Sequence, residues 1–234
     1  MKEIISSLLR QKVGGITDSQ CEKFCDYAQF LVSENEKYNL TALTSPEDVA
    51  LKHFVDSVVS LSLGFEPKEG ESVIDVGSGA GLPGIPLKIM RPEISLTVLD
   101  STEKKVVFMK QAAERIGYSV DAVAARAEEA ASRPDMRDSF DYAVSRGVAA
   151  LNVLCELCMP FVKVGGVFLA YKGKSGEEEL DAAKSAIKAL GGKTERVEKL
   201  STDGGDRTLI FIRKLSPTPS AYPRQYAKIK KKPL

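Results

Sequence analysis

The chain has 234 residues, 43% of them hydrophobic and 28% charged, with no tryptophan and a formal net charge of +1. That length and balance fit an ordinary globular protein with one sizeable domain and an appendage. No apolar run approaches the roughly 20 residues that span a bilayer, and the opening MKEIISSLLRQKVGG has too short an apolar core for a secretory signal, so the expected location is cytoplasmic.

Residues 1–64 read as a helical segment. Thr17-Asp18-Ser19-Gln20 is a capping box, followed by Cys21, Phe24, Cys25, Ala28 and Leu31 at helical spacing. Ser45-Pro46-Glu47-Asp48 starts a second helix, expected to run to about Leu63 and carrying His53, the only histidine. The uncharged connector YNLTALTS lies between them. From Ser72 short buried strands alternate with helices. Strands are expected at 72–76, 96–100, 120–124, 140–145, 166–171, 195–200 and 207–213. Helices are expected at about 84–90, 103–116, 148–161 and 177–190. This predicts an α/β fold, a mostly parallel seven-stranded sheet. The last two strands have no helix between them, so they form an antiparallel C-terminal hairpin across STDGGD. Cys155 and Cys158, like Cys21 and Cys25, have spacings that resemble zinc half-sites. All four sit inside helical periodicity, so buried reduced thiols and no metal are expected. The expected division is 1–64 helical, 65–214 ligand-binding and 215–234 a tail. From Arg213 onward there are seven basic residues and no acid, which leaves an acidic body and suggests a polyanionic partner for the tail.

The stretch VIDVGSGAGLPGIPL, residues 73–87, places Gly77, Gly79, Gly81 and Gly84 between the first strand and its helix. A glycine-rich turn there lets a nucleotide touch the backbone. Three ligands compete. A nucleoside triphosphate needs Lys-Ser/Thr opening the helix, where this chain has Leu82-Pro83-Gly84-Ile85. A dinucleotide matches the glycine spacing, but Asp75 would repel a pyrophosphate. S-adenosylmethionine carries a sulfonium and an ammonium, for which an acid is an asset. Asp100 ends the second strand 23 residues after Gly77, where a carboxylate accepts ribose hydroxyls.

DVGSGAGLPGIPL resembles motif I of the bacterial glucose-inhibited division protein B family, small-subunit rRNA guanine-N7 methyltransferases of the class I, Rossmann-like fold. YNLTA, LKHFVDS, LDSTEKK, FDYAVSR, YKG, DRTL and YPR match the same family in order along the chain. The resemblance implies that Gly77, Gly79 and Leu82 line an S-adenosylmethionine site with Asp75 behind them. Asp100, Ser101 and Thr102 would meet the ribose, Ala127 and Glu128 the adenine, and Arg146 the reaction centre. It also implies the substrate, 16S rRNA or the small ribosomal subunit, and the target, guanine 527. Many members carry an aromatic residue where this chain has Leu82 and alanine where it has Gly147.

The residues agree with ring-nitrogen chemistry. Exocyclic amine methylation usually uses an acid or amide followed by Pro-Pro-aromatic, where this chain reads Ser145-Arg146-Gly147-Val148. Cytosine C5 methylation needs a cysteine there, and Cys155 and Cys158 lie too far along. Guanine N7 carries a lone pair and no proton, so it needs mainly positioning. Arg146 is expected to bind the guanine O6 edge or the cofactor carboxylate. His53 and Asp56, one helical turn apart, are expected either to close over the site or to brace the N-terminal segment, as are Tyr38 and Asn39. Lys172, Arg207, Arg224, Lys228, Lys230 and Lys231 are expected on the RNA backbone. A monomer acting on RNA, with no DNA or membrane partner, completes the expectation. The rivals are a nicotinamide-dependent oxidoreductase and an RNA-binding assembly factor with a decayed methylase.

Overall fold

The computed structural model describes residues 1–234. Seven strands form one sheet: β1 (Ser72–Val76), β2 (Ser95–Asp100), β3 (Asp121–Ala124), β4 (Phe140–Arg146), β5 (Val162–Lys172), β6 (Gly192–Thr202) and β7 (Gly205–Lys214). Their order is β3-β2-β1-β4-β5-β7-β6. The first five pair in parallel, and β7 is antiparallel to both β5 and β6. This is the sheet of class I methyltransferases. The carboxyl ends of β1, β2 and β4 open on one edge, at the point where the strand order reverses.

The period-two burial of the strands divides the interior in two. Val73, Val98, Leu169 and Phe211 join one cluster, and Ile74, Leu99, Ala170 and Ile212 the other. The first is covered by α1 (Lys2–Lys12), α2 (Asp18–Tyr38), α5 (Gly84–Met90), α6 (Glu103–Arg115) and the segment at 46–62. The second is covered by α7 (Ala127–Ala130), α8 (Leu151–Cys158) and α9 (Gly176–Ala189). The four cysteines are buried and unpaired. No group of three or more His, Cys, Asp or Glu could hold a metal ion, and no helix is long and apolar enough to cross a membrane.

The Thr17 capping box forms as the sequence predicts. Gln20 N–H donates to Thr17 Oγ1 at 3.2 Å and Thr17 N–H donates to Gln20 Oε1 at 3.0 Å. Several elements differ from expectation, β5 among them, which starts at Val162 and not at 166. The helix after Ser45 is not uniform: α3 (Pro46–Asp48) runs into a π-helical stretch, Val49–Val55, and then α4 (Asp56–Ser62). The helix expected from Val148 begins at Leu151, because Gly147 is left-handed (φ 71°) and Leu151 N–H is taken by the Glu179 carboxylate at 2.9 Å. The terminal strands extend to Thr202 and from Gly205, leaving a two-residue turn, Asp203-Gly204.

Residues 215–234 lie against the body. Arg137 donates to the carbonyls of Thr218 and Tyr222, at 2.7 and 2.9 Å. The buried Lys214 ammonium bonds to Asp138 and to the Thr218 hydroxyl. The short helix α10 (Tyr226–Lys231) buries Ile229 in the second cluster and packs on α8.

Candidate active site

A cavity of about 570 Å³ opens at the carboxyl ends of β1, β2 and β4. The glycine loop forms its floor. Gly77 and Gly79 are left-handed, at φ 73° and 62°, and a Cβ on Gly77 would sit 2.5 Å from Val148 Cγ2. The loop is drawn tight by Asp75, whose Oδ2 accepts from the Ser78 hydroxyl and from Gly84 N–H at 2.8 Å. Asp75 itself does not line the cavity. It is fully buried, its Oδ1 has no partner, and burial pushes its carboxyl up to about 6. It acts from behind the floor, by shaping the loop.

Asp100 does line the cavity, with Ser101 and Thr102. It accepts from Gly79 N–H at 3.0 Å and from Thr102 N–H at 2.9 Å, one bond per oxygen, which leaves acceptor capacity for a diol. Ala127 and Glu128 of α7, Leu157 of α8 and Leu82 of the loop also line it. These residues fit a nucleoside: a carboxylate for hydroxyls, apolar side chains at Leu82, Ala127 and Leu157, and bare backbone at Gly77 and Gly79.

Arg146, at the end of β4, lines the cavity next to His53 and Thr41. Its Nη1 donates to the His53 carbonyl at 3.2 Å and lies 3.6 Å from Asp56 Oδ2. The His53 Nε2 meets the Thr41 hydroxyl at 2.8 Å. Burial, and then the nearby Arg146 cation, push the His53 imidazole down to about 4, so it is neutral near pH 7. The Thr41 end is fixed by Asn35, whose side-chain oxygen accepts from Leu40 N–H and Thr41 N–H at 2.8 and 2.9 Å. Tyr38 packs on Phe108, with ring centroids 6.0 Å apart, and Asn39 is the left-handed cap of α2.

The structure separates residues that spacing had put together. Asp56 lies outside the cavity, held by Arg207 Nε at 2.9 and 2.8 Å and by the Thr202 hydroxyl at 3.3 Å. His53 and Asp56 thus face different partners, and Asp56 braces β7 and β4 against the N-terminal segment. The expected phosphate contacts divide as well. Arg207 is engaged by Asp56. Arg224 is engaged by Glu156, and Lys172, buried, bonds to Glu179 and to the Ala149 carbonyl, both at 2.7 Å. A side chain paired with a carboxylate offers less net charge to a phosphate, so these three differ from the lysines of α10. Lys228, Lys230 and Lys231 are exposed and in no ion pair.

Lys105, Arg126 and Tyr226 also line the cavity and were not anticipated. Thr41 was signalled only as part of YNLTA. Nothing in the spacing of Tyr226 points to the site.

The family model for rRNA small subunit methyltransferase G (GidB) matches residues 20–210. The chain is 45% identical over 222 residues to ribosomal RNA small subunit methyltransferase G of Pelotomaculum thermopropionicum, covering 94% of this chain and 92% of that one. It is 42% identical over 236 residues to the protein of that name from Brevibacillus brevis, covering 100% and 99%. Among solved structures it resembles a ribosomal protein L11 methylase of Lactobacillus delbrueckii subsp. bulgaricus, with TM-score 0.53, 14% identity and coverage of 70% and 79%. It resembles the cyclase SpnF equally, with TM-score 0.53, 16% identity and coverage of 69% and 81%. These two likenesses establish the fold alone. The match across residues 20–210 and the full-length identities establish more: the chain belongs to the rRNA small subunit methyltransferase G family.

Proposed function

We propose that this protein transfers a methyl group from S-adenosylmethionine to N7 of a guanine in 16S rRNA, the guanine at position 527 by family resemblance. One observation carries the reading: on the Thr41–His53–Arg146 side of the cavity no group is placed to take a proton or attack carbon. His53 is neutral but a weak base, and Asp56 is bound by two arginines. The Cys155 and Cys158 thiols are pushed far up by burial, so neither supplies a thiolate. An acceptor that brings its own lone pair and no proton fits this site.

The cofactor, when bound, supplies an electrophilic methyl group on its sulfonium. The chain's residues provide position. Asp100 accepts the ribose hydroxyls, with Ser101 and Thr102 beside it. Gly77 and Gly79 admit the cofactor to the backbone, and Leu82 packs on it. Ala127 and Glu128 flank the adenine. Arg146 would meet the cofactor carboxylate or the guanine O6 edge, which would leave N7 unbound and free to take the methyl group. The exposed lysines of α10 meet RNA phosphates. The protein works as a monomer on RNA, not DNA.

The test uses methyl-labelled S-adenosylmethionine with small subunits, and with their stripped RNA, from cells lacking the protein. The RNA is then cleaved chemically at N7-methylguanine. Label at a single guanine N7 is expected. Label at another atom, or none with cofactor bound, overturns the proposed target. Arg146→Lys is expected to lower turnover at saturating substrate by about a hundredfold, because the planar fork is lost. Unchanged turnover would remove Arg146 from the reaction centre.

A further inference from the structure

The C-terminal segment is joined to the body by a device that a solvated tail has no use for. Glu156, on α8, is completely buried. Every hydrogen bond its carboxylate makes is to one tail residue: Arg224 N–H and Nε–H donate to Oε1, both at 2.8 Å, and Nη2–H donates to Oε2 at 2.6 Å. A buried carboxylate with a single partner is tolerated only while that partner is in place. Arg137 adds donors to the carbonyls of Thr218, Pro219 and Tyr222. Arg224 Nη1 donates to the Lys232 carbonyl at 3.1 Å, closing the tail on itself around α10.

This anchorage sets Tyr226 in the lining of the cavity, which Ala127, Glu128 and Leu157 also line, and Tyr226 and Ala127 both pack against the second cluster, to which Leu157 belongs. The ring is half-buried and its hydroxyl has no hydrogen-bond partner. An aromatic ring lining a nucleoside-sized cavity, its hydroxyl unbonded, has the chemistry to cover a purine face.

We propose that the C-terminal segment is part of the cofactor site: Tyr226 covers the adenine end of S-adenosylmethionine, and the Arg224–Glu156 pair is the positioning device that holds it there. This rests on the cavity being the cofactor's. It has a second consequence. The exposed Lys228, Lys230 and Lys231 follow Tyr226 on the same short helix, so cofactor occupancy and the order of the RNA-facing lysines are linked. By reciprocity each stabilises the other.

The test is calorimetric titration of the full-length protein with S-adenosylhomocysteine, alongside tryptic cleavage after Lys228 and Lys230. Tyr226→Ala is expected to weaken binding about tenfold, while Tyr226→Phe stays near the parent, since the ring face and not the hydroxyl makes the contact. S-adenosylhomocysteine is expected to slow tail cleavage in the parent and in Tyr226→Phe, and not in Tyr226→Ala. Equal binding by parent and Tyr226→Ala, with cleavage indifferent to the ligand, overturns the proposal and leaves the cofactor assignment standing. No binding by the parent overturns both. Cleavage in the parent reads the tail without any variant, so a Tyr226→Ala chain that fails to fold does not spare the proposal.

Discussion

His53 is the chain's only histidine, and its burial makes it a source of acid sensitivity. Its pKa falls from an ordinary 6.5 to about 4 on folding. Between those values the unfolded chain binds a proton that the folded chain refuses. Stability from this group is therefore complete above pH ~6.5 and is lost as pH falls toward ~4, by up to ~3 kcal/mol. Asp75 has the opposite sign. Its pKa rises from 3.8 to about 6, so the folded chain binds the extra proton in that window, and stability falls as pH rises through it. The two slopes oppose each other. Across urea unfolding from pH 4 to 6.5, the parent should gain ~3 kcal/mol relative to His53→Gln. Parallel profiles would mean that His53 is not buried neutral. Gly84 makes a second test. A Cβ there would lie 2.8 Å from Asp75 Oδ2 and 3.2 Å from Leu96 Cδ1. Gly84→Ala should cost ~1–3 kcal/mol by overpacking the brace behind the loop. Unchanged thermal unfolding would show that the loop can shift at no cost.

At the scale of elements, legibility followed the strength of local chemistry. The Thr17 cap was readable because a hydroxyl and an amide three residues apart satisfy each other's backbone whatever surrounds them. Thr17→Ala should accordingly cost ~1 kcal/mol in urea unfolding, and no change would mean that the Lys2–Asp26 and α1 contacts hold α2 without it. The strand pattern was readable because alternate residues had to serve two cores. The π-helical stretch at Val49–Val55 was not. Its side chains suit an α-helix equally well, and only packing of Phe54 on Phe24 and Tyr27, at 4.9 and 5.4 Å, distinguishes the register. That register sends His53 to Thr41 and Asp56 to Arg207. The start of α8 is not legible for a related reason. Val148 continues an apolar helical pattern, yet it packs over Gly77 while Gly147 breaks the turn.

At the scale of the whole molecule the tail decides most. Ending the chain after Ala221 removes Arg224, the one partner of the Glu156 carboxylate, and breaking that buried pair should cost ~3–5 kcal/mol. Glu156→Met in the shortened chain should recover much of that loss, because it removes the charge that lost its partner. A shortened chain as stable as the parent would show that the pair is not buried in solution. For RNA, replacing Lys228, Lys230 and Lys231 with glutamine should reduce the slope of log affinity against log salt by about 2. An unchanged slope would move the RNA contact elsewhere on the surface.

The sequence by itself determined the alternation of strands and helices, the glycine loop, the carboxylate at Asp100 and the family. Each of these depends on neighbours in the chain: periodicity, backbone conformation at glycine, and a motif of fixed spacing. The tertiary structure alone decided which charges remain free. Arg207, Arg224 and Lys172 carry the same charge as Lys228, Lys230 and Lys231. Their carboxylate partners lie 151, 68 and 7 residues away, in contacts that only the folded chain makes. It alone also placed Tyr226, 126 residues beyond Asp100, in the wall of the same cavity. The physical reason is that pairing and burial depend on distance in space, which spacing along the chain does not encode.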